Sequence, residues 1–443
     1  MPRSAFAWSC LLGSAWIALL ASASPTAAEM DRTERQVLQA IDRRTPASIT
    51  LLERAVNINS GTLNVEGVRQ VGRLFEPEFK SLGFKVRWSD GASWGRAGHL
   101  IAEREGRRGS PKVLLIGHLD TVFEADGPFQ RFELHDDSTA RGPGVIDMKG
   151  GDVIVLLMLG ALADAGVLDQ ISVRVVFTGD EESAGQPIAS SRRDLREAAD
   201  WADVAIGFED GAGDPRSAVI ARRGSSSWTL DTSGRPSHSG QIFRPDVGSG
   251  AIFEAARILT AFHDSLGHER YLTFNPGMIV GGTTIGLIDG SRGTAYGKSN
   301  VVAESTTVRG DLRALTIEQR DRAKRTMERI VAQHLPRTDA RITFEDGYPP
   351  LSPSAGNRRL LALYDSASRD LGLGPVEEVD PSRAGAADVS FTDGRVEMAI
   401  DGIGLRGAGG HTNEETADLN TLRTQAQRAA LMLLRLAKSK RAS

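Results

Sequence analysis

Val113-Leu114-Leu115-Ile116-Gly117-His118-Leu119-Asp120 is the stretch on which the reading of the fold turns. Four consecutive apolar residues are too few for a helix and mark a strand buried on both faces of a parallel sheet. The run passes directly into a glycine and two titratable side chains, so the carboxyl end of this strand carries chemistry. Downstream, Gly150 and Gly151 open a segment, Val153 to Ala165, that is hydrophobic all round and therefore predicts a helix buried against the sheet. Val173 to Phe177 predicts the next buried strand and ends in Thr178-Gly179-Asp180-Glu181-Glu182. Val204 to Ile206 predicts another and ends in Phe208-Glu209-Asp210. Upstream, Arg32 to Arg73 has helical spacing with a break near Asn59 to Thr62, and Phe84 to Trp88 alternates as a strand does. Open α/β sheets bind ligands beyond the carboxyl ends of their strands, so three such ends would gather these acids into one crevice.

The texture changes near Gly224. Ser227 to Asp231 alternates, a Gly/Pro/Ser turn carries His238, and helices are predicted over Gly250 to Ser265 and Ile317 to His334. Thr306 to Arg313 and Ala340 to Glu345 read as strands. Residues 223–348 thus form an α+β unit inserted in a first domain made of residues 29–222 and 349–443. The predicted fold class is α/β, a central mixed, largely parallel sheet with an inserted α+β sandwich. The returning part holds a helix near Arg358 to Leu371, the loop Ala384 to Phe391, a Gly-rich loop that delivers His411, and a last helix from Thr421 to Lys438.

Composition removes several classes. With 443 residues, 53 Lys+Arg against 57 Asp+Glu and 40% hydrophobic residues, the chain is neither disordered nor polytopic. A formal net charge of −4 and the lack of a long basic run argue against nucleic-acid binding. Residues 1–28 carry one charge, Arg3, then an apolar stretch and Ala-rich small residues, which predicts a secretory signal peptide cleaved near Ala23 or Ala28 and a periplasmic or secreted protein. The single cysteine, Cys10, lies in that leader, so thiol chemistry is excluded from the mature chain, and no other segment is long and apolar enough to span a membrane.

The ordered set His118, Asp120, Asp147, Glu181, Glu182, Glu209 and His411 carries the chemistry. Two histidines with three or four carboxylates, all in Gly-flanked loops at strand ends, match the mixed nitrogen and oxygen donors of a two-zinc hydrolase. Gly117-His118-Leu119-Asp120-Thr121-Val122, the run Gly142 to Gly151 around Asp147, Asp180-Glu181-Glu182, Phe208-Glu209 and Gly410-His411 resemble the co-catalytic zinc metallopeptidases that include glutamate carboxypeptidase and aminoacylase. The resemblance runs from about Val113 to the C-terminal helix and is nearest to the secreted bacterial glutamate carboxypeptidases. It implies two zinc ions per subunit, or another divalent ion, bridged by Asp147, with His118 and Glu209 completing one site and Glu182 and His411 the other. Asp120 would accept the free ring N–H of His118. Glu181 would act as base and then acid on a metal-bridging water.

For the inserted unit the resemblance implies a lid that also forms a homodimer. His238, in Ser237-His238-Ser239-Gly240, would reach the partner's site and stabilise the oxyanion. Asn300 and Arg313 match substrate-binding positions, although Asp311 could equally engage Arg313 in an ordinary ion pair, and Gly385 lies in a loop that would face the substrate carboxylate. His99, His135, His263, His268 and His334 have no such setting. The implied activity is hydrolysis of a C-terminal amide bond to release an amino acid from a small peptide; the alternatives are an N-acyl-amino-acid amidohydrolase and a periplasmic binding protein that kept the fold. One departure concerns specificity: where the glutamate carboxypeptidases have an Arg before the Pro that closes the lid's last strand, this chain has Tyr348 before Pro349.

Overall fold

The computed structural model describes residues 30–442; the predicted leader lies outside them. Its centre is a six-stranded sheet in the order Lys85–Asp90, Gly98–Arg104, Ser172–Thr178, Lys112–His118, Val204–Gly207, Met398–Ile400. The first three are joined by antiparallel pairing and the rest by parallel pairing, so the sheet is mixed. The strand that opened the sequence reading is buried on both faces as its composition requires. Val113 and Leu115 enter one core with Val175 and Ile206, while Leu114 and Ile116 enter another with Val176 and Ala205. Against the first face lie the helices Arg32–Val56, Lys149–Asp164 and Leu419–Ala442. The middle one is buried on every side from Lys149 to Leu162, the result expected of a helix with no polar face. Arg193–Trp201 and the short turn Asp388–Thr392 cover the other face.

A second sheet has the order Thr273–Gly282, Ser305–Arg313, Ser226–Gly234, Thr338–Asp346, antiparallel throughout. Helices Ala251–Leu266 and Ile317–Val331 pack on it around Trp228, Leu230, Ile258, Phe262, Val308 and Met327. Thr316 starts the second helix by accepting the N–H of Gln319 at 3.1 Å. Two elements here were not anticipated. Thr273–Gly282 is an edge strand containing Pro276, with most of its side chains exposed or half-exposed, so it shows no alternation to read. Thr284–Leu287 and Gly293–Tyr296 pair as a small hairpin.

The chain leaves the first sheet and returns to it through two segments that run side by side. Arg222 and Leu351 exchange backbone hydrogen bonds at 3.0 Å each; Ser225 N–H donates to the Tyr348 carbonyl at 2.9 Å and Gly347 N–H to the Ser225 carbonyl at 3.1 Å. The two crossings therefore form a short two-stranded ribbon. Among the described residues no helix is long and apolar enough to cross a membrane.

Candidate active site

Three neighbouring parallel strands end on the same edge of the central sheet, and their ends build the site. His118 closes Lys112–His118 and is almost wholly buried. Its Nε2 lies 3.1 Å from Asp147 Oδ1 and 3.7 Å from Glu209 Oε1. On the other side of Asp147, Oδ2 lies 2.8 Å from His411 Nε2, which is 3.3 Å from Glu182 Oε2. The donor atoms fall into two groups, His118/Asp147/Glu209 and Asp147/Glu182/His411, each within 4.8 Å of one another and sharing Asp147.

Each donor is held from behind. Asp147 sits in the turn before helix Lys149–Asp164, and a carboxylate from far along the chain fixes that turn: Glu415 accepts the N–H groups of Gly144, Ile146 and Asp147 at 3.1, 2.8 and 3.2 Å. Glu209 follows Val204–Gly207, with its N–H 3.3 Å from Asp401 Oδ1, and Asp401 Oδ2 takes a 2.8 Å bond from Arg222 Nε. His411 adopts φ +62° at the end of the Gly-rich loop, exposed on one side.

Asp120 is placed differently from the expectation. The His118 ring meets the Asp120 backbone carbonyl, 3.0 Å from Nδ1, whereas the Asp120 carboxylate is 3.5 Å away. That carboxylate instead accepts the N–H groups of Glu181 and Glu182 at 3.0 and 3.1 Å and the Thr62 hydroxyl at 2.6 Å. The carbonyl fixes the ring tautomer and leaves Nε2 as a free donor atom, so the outcome for the imidazole is the same.

The cleft is short of positive charge. Burial opposes a charge on His118, yet Asp147, Glu209 and Asp120 together hold its imidazole well above the ordinary value. Hydrogen bonds to Asp147 and Glu182 push His411 up to about 11. Burial and the neighbouring acids drive Glu181 and Glu209 well above the usual carboxylate range, and Asp210 up to about 7. Glu182 Oε1 is buried with no hydrogen-bond partner. Two mixed imidazole and carboxylate donor sets, an orphaned carboxylate oxygen and a surplus of acid suit a divalent cation at each group. Glu181 belongs to neither. It lines the same pocket, and among the described residues no group bonds its carboxylate.

Gly385 also lines this pocket; His238, Asn300 and Arg313 do not. His238 and Asn300 sit together on the four-stranded unit, where Ser239 N–H donates to the Asn300 carbonyl at 2.9 Å, and both are exposed. Arg313 is engaged by Asp311 at 2.9 Å. Tyr348 lies outside the pocket, turned toward Arg192 and the backbone of Glu181. The sequence reading missed Glu415, Asp401, Arg222 and Arg383. Arg383 stands exposed on the pocket wall with no carboxylate partner among the described residues; its place one residue before the Ala384 loop was the available signal.

Comparison with known proteins agrees with this geometry. Residues 114–435 match the model of peptidase family M20/M25/M40. Carboxypeptidase G2 of Pseudomonas sp. (strain RS-16) is 28% identical over 434 residues, 96% of this chain and 97% of that protein. Among solved structures, aminopeptidase PepT from Bacillus cereus superposes with a TM-score of 0.71 at 18% identity, covering 89% of this chain and 99% of its own. The Bacillus subtilis YXEP protein, a dinuclear metal-binding peptidase, gives 0.60 at 15% identity over 90% and 99%. These likenesses support the shared fold.

Proposed function

The chain belongs to peptidase family M20/M25/M40 and is a hydrolase of the metallopeptidase type, and from that premise we propose that it cleaves a C-terminal amide bond to release an amino acid. The observation that carries this reading is Asp147 shared between two donor groups while Glu181 stands beside them unbound. Two zinc ions would supply Lewis acidity, polarising the scissile carbonyl and acidifying water. The donors would be His118, Asp147 and Glu209 for one ion and Asp147, Glu182 and His411 for the other. Glu181 takes a proton from the attacking water at its carboxylate and returns it to the leaving amine, a task open to a carboxylate that neither donor group claims. Relation to carboxypeptidase G2 over nearly the whole chain supports a free carboxylate on the product side. Gly385 and Arg383 line the pocket and would meet it in this reading, Arg222 being committed to Asp401 and to the Gly385 carbonyl. The leader-like residues 1–28 support export to the periplasm or medium.

The test is amine release across N-acyl amino acids, folate-type glutamates and unblocked dipeptides. Turnover confined to blocked peptides ending in a free carboxylate is expected. Preference for simple N-acyl amino acids would move the reading to an amidohydrolase, and no turnover with two metal ions bound would move it to a binding protein.

The four-stranded unit, residues 223–348, acts in this reading as lid and homodimer contact. Its edge strand exposes Ile279, and the start of helix Ala251–Leu266 exposes Ile252 and Phe253, an apolar patch suited to a second copy. Since His238 and Asn300 lie outside their own chain's pocket, they are assigned to the partner's. His238→Ala is expected to lower turnover by about 10²–10³. Mixing it with Glu181→Gln chains should then restore on the order of a quarter of wild-type activity, because a mixed two-fold dimer holds one intact site. Failure to complement would return His238 to its own subunit.

A further inference from the structure

Glu181 is gripped by its backbone. Its own N–H and that of Glu182 donate to the two oxygens of Asp120 at 3.0 and 3.1 Å, and its carbonyl receives the hydroxyl of Tyr348 at 3.0 Å. Tyr348 does not belong to the loops at the strand ends. It stands on the ribbon of two crossings, two residues past Thr338–Asp346, on the segment that returns from the four-stranded unit.

The direction of the hydroxyl is determined by its second partner. Arg192 is fully buried; its guanidinium bonds Asp388 Oδ1 at 2.7 Å, Asp180 Oδ1 at 2.6 Å and the Asp180 carbonyl at 2.9 Å, and also donates to the Tyr348 oxygen. An arginine can only donate, so the phenol oxygen must accept and its single proton is left for the Glu181 carbonyl. The ring is held edge-on to Phe391, centroids 5.0 Å apart. Arg192 is already matched by the two carboxylates without Tyr348, so what the hydroxyl adds is the hold on Glu181. Because the Glu181 carboxylate has no bond of its own, its aim depends on where this backbone sits.

We infer that Tyr348 is a positioning residue for Glu181, and that the segment returning from the four-stranded unit thereby sets the placement of the base; this rests on the assignment of Glu181 proposed above. Replacement of Tyr348 by phenylalanine removes one oxygen and keeps the ring. In the metal-loaded full chain, Tyr348→Phe should lower kcat about tenfold or more, since small misplacements are costly to turnover. KM should stay within about twofold, with metal content and melting temperature at wild-type values, a split that a merely structural role would not give. Wild-type kcat in Tyr348→Phe, or a loss of kcat matched by loss of metal or of melting temperature, overturns the inference. Glu181→Gln measured in parallel separates the two levels: if it turns over, the assignment of the base fails; if it is inactive while Tyr348→Phe is fully active, only the role of Tyr348 falls.

Discussion

Glu181→Gln is expected to lower kcat by about 10²–10⁴ while both metal positions stay filled and the protein melts no lower than wild type. The amide keeps the size and the backbone hold of the original side chain, so the backbone bond to Asp120 and the bond from Tyr348 survive. What disappears is a carboxylate that lines the cleft and belongs to neither donor group. The stability part has a separate cause. In the metal-free chain burial and the neighbouring acids Asp388, Glu182 and Asp147 already disfavour a charge at Glu181, so a neutral amide there costs the fold little, a familiar exchange between stability and activity at such sites. Elemental analysis, a melting curve and steady-state kinetics on one preparation decide the matter. Loss of one metal ion per chain would instead make Glu181 a ligand and exchange its role with that of Glu182.

Chelation is expected to produce the other large effect, and its pH dependence has a definite sign. In the metal-free chain His118 and His411 hold protons well above their ordinary range, and Glu181 and Glu209 bind protons more tightly than in the unfolded chain. Groups whose folded pKa is raised contribute stability that is present below the unfolded pKa and lost as pH rises through the folded one. All four therefore act in one direction. Metal-free protein should melt at a progressively lower temperature from pH 5 to pH 7 and beyond, with buried His99, whose pKa is lowered, opposing the trend below its ordinary value and Lys149, lowered to about 7, opposing it above that pH. Asp147 is lowered, and being ionised in both states across this window it contributes no slope. Restoring zinc at pH 7 should abolish the slope and release at least two protons per chain, those of the two imidazoles, to which any proton still held by the donor Glu209 adds. Calorimetry in buffers of different ionisation enthalpy counts them, and zinc uptake without proton release would show the histidines to be unused as donors.

Much of the site was legible because local chemistry encodes it. A buried strand must be apolar, and where it ends the first polar residues are conspicuous, as at His118, Glu181 and Glu209. The all-apolar helix after Gly151 announced its own burial. What escaped the reading joins residues remote in sequence. Glu415 steadies the turn at Asp147 across 268 positions, and Arg192 meets Asp388 across 196; no spacing rule connects such pairs. Asp120 was assigned to the imidazole by the resemblance, but the backbone carbonyl lies nearer and the carboxylate finds three other donors. Edge strands were lost for a different reason. Met398–Ile400 has three residues, and Thr273–Gly282 has neither face fully buried, so neither carries a period to detect.

The last quarter of the chain supplies an edge strand of the central sheet, the histidine of one donor group, the carboxylate that pins the bridging aspartate, and a helix that packs against the core helices Arg32–Val56 and Lys149–Asp164. On the ribosome, the first two hundred residues therefore emerge with their sheet unfinished and their acids unopposed. Assembly of the centre waits on this late segment: a nascent chain that stops before His411 and Glu415 lacks the histidine of the second donor group and the carboxylate that fixes the turn at Asp147.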